Sequence, residues 1–220
     1  MRRKREIFIG IVLLLISTLA YIFGWTNVFT VKAVAVTGSP NTEITKQVLK
    51  ISEIRIGEKL ARIEPRNIST KLALSGIDWI ESVKISRNWI NRKVTIDLSA
   101  RVPVAKSGQN YVDQSGVLFT SPVSIKAKLP ELSAADSTAR GAAIGLYLAL
   151  PEEMKSEVTE IRASASSNFQ LILNQKLRIN WGGNSNNQVK VKIYKALIAL
   201  PENKELKSMD LSDPIKPTVK

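Results

Sequence analysis

An uncharged apolar run from Ile7 to Trp25, close behind Arg2, Arg3, Lys4 and Arg5, constrains this chain more than any other feature. A helix over these residues, rising ~1.5 Å per residue, comes close to the ~30 Å hydrocarbon thickness of a bilayer. Lys and Arg beside a first helix stay on the cytoplasmic side. Residues 1–6 are therefore expected inside as a basic tail, residues 7–25 in the bilayer, and everything after Asn27 outside. Ile7, Leu13, Leu14, Leu15 and Trp25 are the expected anchor residues, with Tyr21, Phe23 and Trp25 forming an interfacial aromatic belt. A cleaved leader has a shorter apolar stretch, about 7 to 15 residues, before a small-residue site. Here the nearby small-x-small triplet is Ala33-Val34-Ala35, inside a β-branched run that cleavage would remove. An uncleaved, single-pass type II anchor is the expectation.

Beyond the run, ~190 residues suffice for two small domains with real cores. The chain has no cysteine and no histidine. Disulfides, thiolate catalysis, Cys-based metal sites, imidazole bases and Ser-His pairs are thereby excluded. The string Ser-x-x-Lys does not occur, and neither Glu152-Glu153 nor Asp210 with Asp213 brings the further oxygen ligands a divalent cation needs. A non-catalytic chain without cofactor or metal is expected. The formal net charge of +13 would suggest nucleic acid in a soluble protein. Beyond a membrane anchor, the anionic partners to expect are instead lipid head groups and acidic wall polymers.

Thr30 to Val36 is a β-branched run closed by Thr37-Gly38-Ser39-Pro40, a strand and a turn. Asn41 or Thr42 can cap a helix carrying Ile44, Val48 and Ile51, and Pro65 opens a second carrying Ile68 and Leu72. The period then changes from 3.6 to 2. Val83, Ile85 and Trp89, then Val94, Ile96, Leu98, Ala100 and Val102, alternate with polar residues as a hairpin with one buried and one wet face. The order β-α-α-β-β lets two helices cover one face of a three-stranded sheet. Trp79 and Trp89 are read as packing residues.

This order is that of a POTRA domain. The string from Gly76 through Trp79-Ile80 and Arg87-Asn88-Trp89, continued by Val94-Thr95-Ile96 and Arg101-Val102-Pro103-Val104-Ala105, resembles the FtsQ/DivIB family of bacterial cell-division proteins. The resemblance implies an α+β chain with a single N-terminal transmembrane helix, a POTRA domain over 28–102, and a second mixed β-rich domain over 103–220 ending in an edge strand.

The second domain reads as short strands. Tyr111-Val112 and Val117-Leu118-Phe119 flank the turn Asp113–Gly116, and Leu129-Pro130 is extended. Ser137 to Leu150 is a helix stopped by Pro151. Strands are expected near Val158–Ala163, Phe169–Leu173 and Lys176–Trp181, and Gly182-Gly183 is a flexible turn without P-loop spacing. A helix from Asn187 to Leu200 carries an apolar stripe of Val189, Ile193, Ala196, Leu197 and Leu200, with Lys190, Lys192 and Lys195 off it.

Met209-Asp210-Leu211 matches the place of a terminal strand that, by the family resemblance, binds FtsB or DivIC. A strand at a sheet edge offers unpaired N–H and C=O groups to an incoming segment, and Pro214 and Pro217 limit the length of such a ladder. The family often has Arg then Tyr after Asp-Leu, where this chain has Ser212 and Asp213. The expected partner-binding residues are Tyr194, Leu197, Met209, Asp210, Leu211, Ser212, Asp213 and Ile215. The resemblance implies a scaffold at the division septum holding FtsB/DivIC-like and FtsL-like partners and controlling the septal peptidoglycan synthase complex, without nucleic acid. The alternative is a basic extracytoplasmic protein that binds cell-wall polymers. A secretion-type POTRA chaperone would carry further POTRA repeats or a barrel, and no second copy of the pattern is visible.

Overall fold

Regular structure begins at Arg2, ahead of the apolar run. The computed structural model describes residues 2–25, 28–203 and 205–220, and the chain divides into two units, Met1–Ala100 and Arg101–Lys220. Helix α1 (Arg2–Trp25) takes in the basic residues, since Arg and Lys are good helix formers. Ile7, Leu13, Leu14 and Leu15 are each more than half exposed along it. The side chains of Phe23 and Trp25, together with Asn27, lie outside the described residues. Among the described residues, no helix is long and apolar enough to cross a membrane.

The rest of the first unit is α+β. Strand β1 (Ala33–Thr37) leads to α2 (Thr42–Ser52), a 3-10 turn at Leu60–Arg62, α3 (Pro65–Ala73), and the hairpin of β2 (Ile80–Asn88) and β3 (Lys93–Ala100). Asn41 is the residue that caps α2, its Oδ1 accepting the Ile44 N–H at 2.9 Å. Glu53 ends the helix in the left-handed region at φ 54°, and its carboxylate meets Lys71 of α3. That hydrogen bond and the ammonium charge hold the Glu53 carboxyl below its ordinary range. The sheet order is β1-β3-β2, with β3 parallel to β1 and antiparallel to β2. Alternation along β3 therefore decides the core. Val94, Ile96 and Leu98 are buried with Val48, Leu60, Ile68 and Leu72, and their strand neighbours Lys93, Asp97 and Ser99 are exposed. Trp79 belongs to this core, whereas Trp89 sits half-buried, edge-on to Phe29 with ring centroids 5.8 Å apart and Arg87 over its face.

The second unit is a nine-stranded sheet, counted among the described residues, with helices on one face. Its strands are β4 (Pro103–Ser107), β5 (Asn110–Asp113), β6 (Leu118–Phe119), β7 (Glu131–Ala134), β8 (Val158–Ala165), β9 (Asn168–Leu173), β10 (Leu177–Gly182), β11 (Ser208–Asp210) and β12 (Thr218–Val219). The helices are α4 (Ser137–Ala149), α5 (Glu152–Glu157) and α6 (Asn187–Ile198). The order across the sheet is β12-β11-β10-β9-β8-β7-β4-β5-β6. Tight turns join the antiparallel β8, β9 and β10. The parallel pairs β7–β8 and β10–β11 each need a crossover, which α4 with α5 and then α6 supply. Ala143, Ile144 and Leu146 of α4 share one buried core with Ile161, Phe169, Leu171 and Trp181 of the strands.

A buried ion pair ties the entry of this unit to its first hairpin. Asp113, 2% exposed, accepts the Ser115 and Val117 N–H groups at 2.9 and 2.8 Å and pairs with Arg101. One carboxylate thus closes the turn Asp113–Gly116 and anchors the segment before β4.

Helix α6 departs from its expected orientation. Lys190, expected off the apolar stripe, is 1% exposed, while Val189, Ala196 and Leu200 of that stripe are exposed. The buried face runs through Lys190, Val191, Ile193, Tyr194 and Leu197 instead, about one residue round the helix. The cause is polar. Lys190 Nζ donates to the Trp181 and Gly183 carbonyls at 2.7 and 2.9 Å and lies over the Trp181 ring, so it binds the loop that leads into α6. Burial pushes the Lys190 ammonium below its ordinary pKa.

Candidate functional site

The end of the chain is laid down by the unit β10-α6-β11. Gly182 ends β10 at φ 68°, and a Cβ placed there would stand 2.8 Å from Ser212 Cβ. A glycine is what lets the two segments approach. Asn180 then reaches Asp210, donating to its carboxylate at 2.9 Å, and Asp210 also accepts the Ser212 N–H and hydroxyl at 2.9 and 2.6 Å. Burial pushes the Asp210 carboxyl up, but the Ser212 and Asn180 hydrogen bonds outweigh it and hold the group below its ordinary range. A second such turn follows, with the Ile215 N–H donating to Asp213 Oδ1 at 2.9 Å. The chain reverses there and returns as β12.

This return corrects the expected edge. Met209-Asp210-Leu211 is not the terminal strand of the sheet, because β12 covers it with Met209 opposite Val219 and Asp210 opposite Thr218. Leu211 is completely buried and Met209 is 2% exposed, both in the core between sheet and helices. Tyr194 is buried as well, its hydroxyl donating to Glu157 Oε2 at 2.7 Å, and burial with that contact raises its pKa. These three side chains are buried inside the fold. Leu197 is half-buried against the same core, and Asp210 is engaged by Asn180 and Ser212. Ser212, Asp213 and Ile215 remain at the surface, Ile215 at 85% exposure.

The edge itself is β12, and its hydrogen-bond phase decides what it offers. Ser208 and Lys220 exchange both backbone bonds, at 2.9 and 3.0 Å. In an antiparallel ladder such pairs alternate with pairs whose N–H and C=O point the other way. Val219 is therefore the β12 residue whose N–H and C=O face outward. Pro217, two residues earlier and of the same phase, has no N–H to offer. Among the described residues no strand pairs with this outward side. The sequence reading missed Val219, although the β-branched pair Thr218-Val219 between Pro217 and Lys220 was its available signal. Gly182 and Asn180 carry no local signal, since their roles come from a strand distant in sequence.

Among the described residues no three acidic side chains stand close enough to hold a metal ion.

Two family models match the chain in succession. One described as POTRA domain, FtsQ-type, covers residues 29–101, and one described as cell division protein FtsQ/DivIB, C-terminal, covers residues 100–212. Among curated proteins, the chain is 28% identical over 203 residues to a cell division protein FtsQ of Mycobacterium leprae, covering 89% of this chain and 57% of that protein. A cell division protein FtsQ of Streptomyces bingchenggensis is 25% identical over 239 residues, with 99% of this chain and 86% of the relative covered. One of Mycolicibacterium smegmatis is 26% identical over 219 residues, with 94% and 63% covered. The chain thus spans little more than half the length of the M. leprae relative. The C-terminal family match alone takes in more than half of the 220 residues and lies on the second unit, next to an FtsQ-type POTRA match on the first, and on that ground the chain belongs to the FtsQ/DivIB family of cell division proteins.

Proposed function

We propose that this chain is a non-enzymatic, membrane-anchored scaffold of the division machinery, and that it captures a partner strand on the outward side of β12. The anchor is the apolar run Ile7–Trp25, directed by the basic residues before it, which leaves residues 28–102 and 103–220 outside the cytoplasm. The partner is an FtsB/DivIC-like segment held beside an FtsL-like one, and the assembly controls the septal peptidoglycan synthases. The observation that carries the reading is the phase of β12, which turns the Val219 N–H and C=O to an open edge, and Ile215, four residues earlier in the chain, is exposed.

Magnitudes divide the work between backbone and side chains. Two added backbone bonds contribute about 2 kcal/mol net, and a micromolar complex needs about 8. Burial of apolar side chains around Ile215 and Val219 has to supply most of the rest, at about 1.5–3 kcal/mol per large side chain. Co-purification of the full chain with an FtsB/DivIC-like partner tests this. Val219→Pro removes the outward donor and leaves the bonds of Ser208 with Lys220 in place, and Ile215→Asp removes the apolar anchor. Each is expected to lower capture at least about tenfold. Unchanged capture by both folded variants refutes the edge. Leu211 is unsuited to the test, since a charge at a fully buried position unfolds the unit.

A further inference from the structure

The sheet of the second unit has one face under its helices and one face open. On the open face of β8, β9, β10 and β11 stand Arg162, Gln170, Arg178, Asn180 and Ser208, which alternate with the core residues Ile161, Leu171, Ile179 and Met209. Three hollows lie along this face, with volumes of about 760, 400 and 170 Å³. They are continuous. Arg162 lines the first and second, Gln170 and Asn180 the second and third, and Arg178 and Ser208 the third and first. At ~4.8 Å between strands, the trough from β8 to β11 is roughly 14 Å across.

The charges on it are unequally matched. Glu160 is held by both guanidinium contacts of Arg162, Glu131 accepts the Gly108 N–H, and Asp210 is engaged by Asn180 and Ser212. Among the described residues, Lys176, Arg178 and Lys207 make no ion pair, and all three are exposed. Neutral donors leave the Glu131 and Asp210 charges in place, so the lining sets Arg162, Lys176, Arg178, Lys207 and Lys220 against Glu131, Glu160 and Asp210, a modest positive surplus interleaved with amide and hydroxyl groups.

We propose that this trough binds a carboxylated glycan chain, the free cations meeting its carboxylates while Gln170, Asn180, Ser164 and Asn168 meet its hydroxyls. Three features select that class. The floor is made of interior strands whose backbone groups are paired on both sides, so a peptide cannot add there as a strand. Amide and hydroxyl side chains both donate and accept, which matches sugar hydroxyls. Among the described residues the lining holds no aromatic ring. A single-stranded nucleic acid would want such rings for stacking, and a neutral glycan would find no charge to bind.

The experiment uses the full chain in zwitterionic detergent micelles, with a fluorescent oligogalacturonate as probe and polyglutamate of equal charge as competitor. Saturable binding is expected at about 10 mM salt, weakening at least about tenfold by about 150 mM. The double variant R178Q/K207Q is expected to weaken it about tenfold more, and K50Q/K93Q, which removes the same charge from the first unit, to leave it unchanged. Gln170→Leu keeps the charge and is expected to weaken glycan binding alone, which serves where the double variant loses its urea midpoint. No saturable binding at low salt, equal loss in both double variants, or polyglutamate binding as tightly as the glycan each overturns the proposal.

Discussion

Removal of the Asp113 carboxylate is the sharpest test of what holds the second unit together. Asp113→Ala deletes two charge-assisted bonds to the Ser115 and Val117 N–H groups and the Asp113 side of the ion pair with Arg101. Breaking a buried pair by removing one partner costs about 3–5 kcal/mol. The Arg101 side chain keeps 20% of its exposure, so water recovers part of that and about 3 kcal/mol is the expected loss. Asp113→Asn keeps Oδ1 for the two N–H groups but puts an amide N–H in place of the Oδ2 that accepts from Arg101, so the charge and the Arg101 bond are lost together, which sets its cost at about 1.5 kcal/mol. Urea unfolding of the full chain in micelles, read by hydrogen exchange of the β8–β10 amides, follows the second unit separately from the first. With a slope of about 2 kcal/mol per molar, the midpoint moves down by about 1.5 M for Ala and about half that for Asn. Equal midpoints for the two variants, or shifts below about 0.3 M for both, refute the assignment of Asp113 as the bond between segment and turn.

Further expectations come from the same geometry. Gly182→Ala combines a positive φ with a Cβ 2.8 Å from Ser212 Cβ, and it is expected to cost about 2 kcal/mol in urea melts and to weaken partner capture with it. Asn41→Ala removes the cap of α2 and should lower the stability of the first unit alone by about 1 kcal/mol, seen as faster exchange in α2 and α3. The folded pKa of Lys190 lies below its ordinary 10.5, so the unfolded chain binds more protons in that window and stability rises with pH up to about that value. Tyr194, raised above its ordinary 10.0, acts oppositely, because above that pH the unfolded chain releases a proton that the folded one keeps. Lys190→Met is expected to flatten the rise and Tyr194→Phe the fall in stability measured against pH, and slopes unchanged from the parent chain count against both burials.

Local elements were largely legible because their causes are local. The alternation from Val83 to Leu98, the cap at Asn41, Pro65 in a first helical turn and Pro151 after a helix each act within a few residues, and these elements stand where the signals place them, whereas Ala100 and Val102, expected on the buried face, are exposed. The POTRA order and the family resemblance came from such signals too, and the family matches agree with them. The candidate site was legible only in part. Ile215, Ser212 and Asp213 are at the surface, whereas Tyr194, Met209 and Leu211 are apolar or aromatic groups that the core claimed first.

What the amino-acid order determined by itself is most of the helices and longer strands, the apolar N-terminal run and the absence of His and Cys chemistry. Tertiary structure decided which strand became the edge and which side of α6 went inward. A two-residue strand such as β12 has too little pattern to announce its partner, and its pairing with β11 depends on a turn built by Asp210 and Asp213. On α6, two apolar stripes about 100° apart competed, and the carbonyls of Trp181 and Gly183, supplied by a different element, drew Lys190 inward and settled the choice.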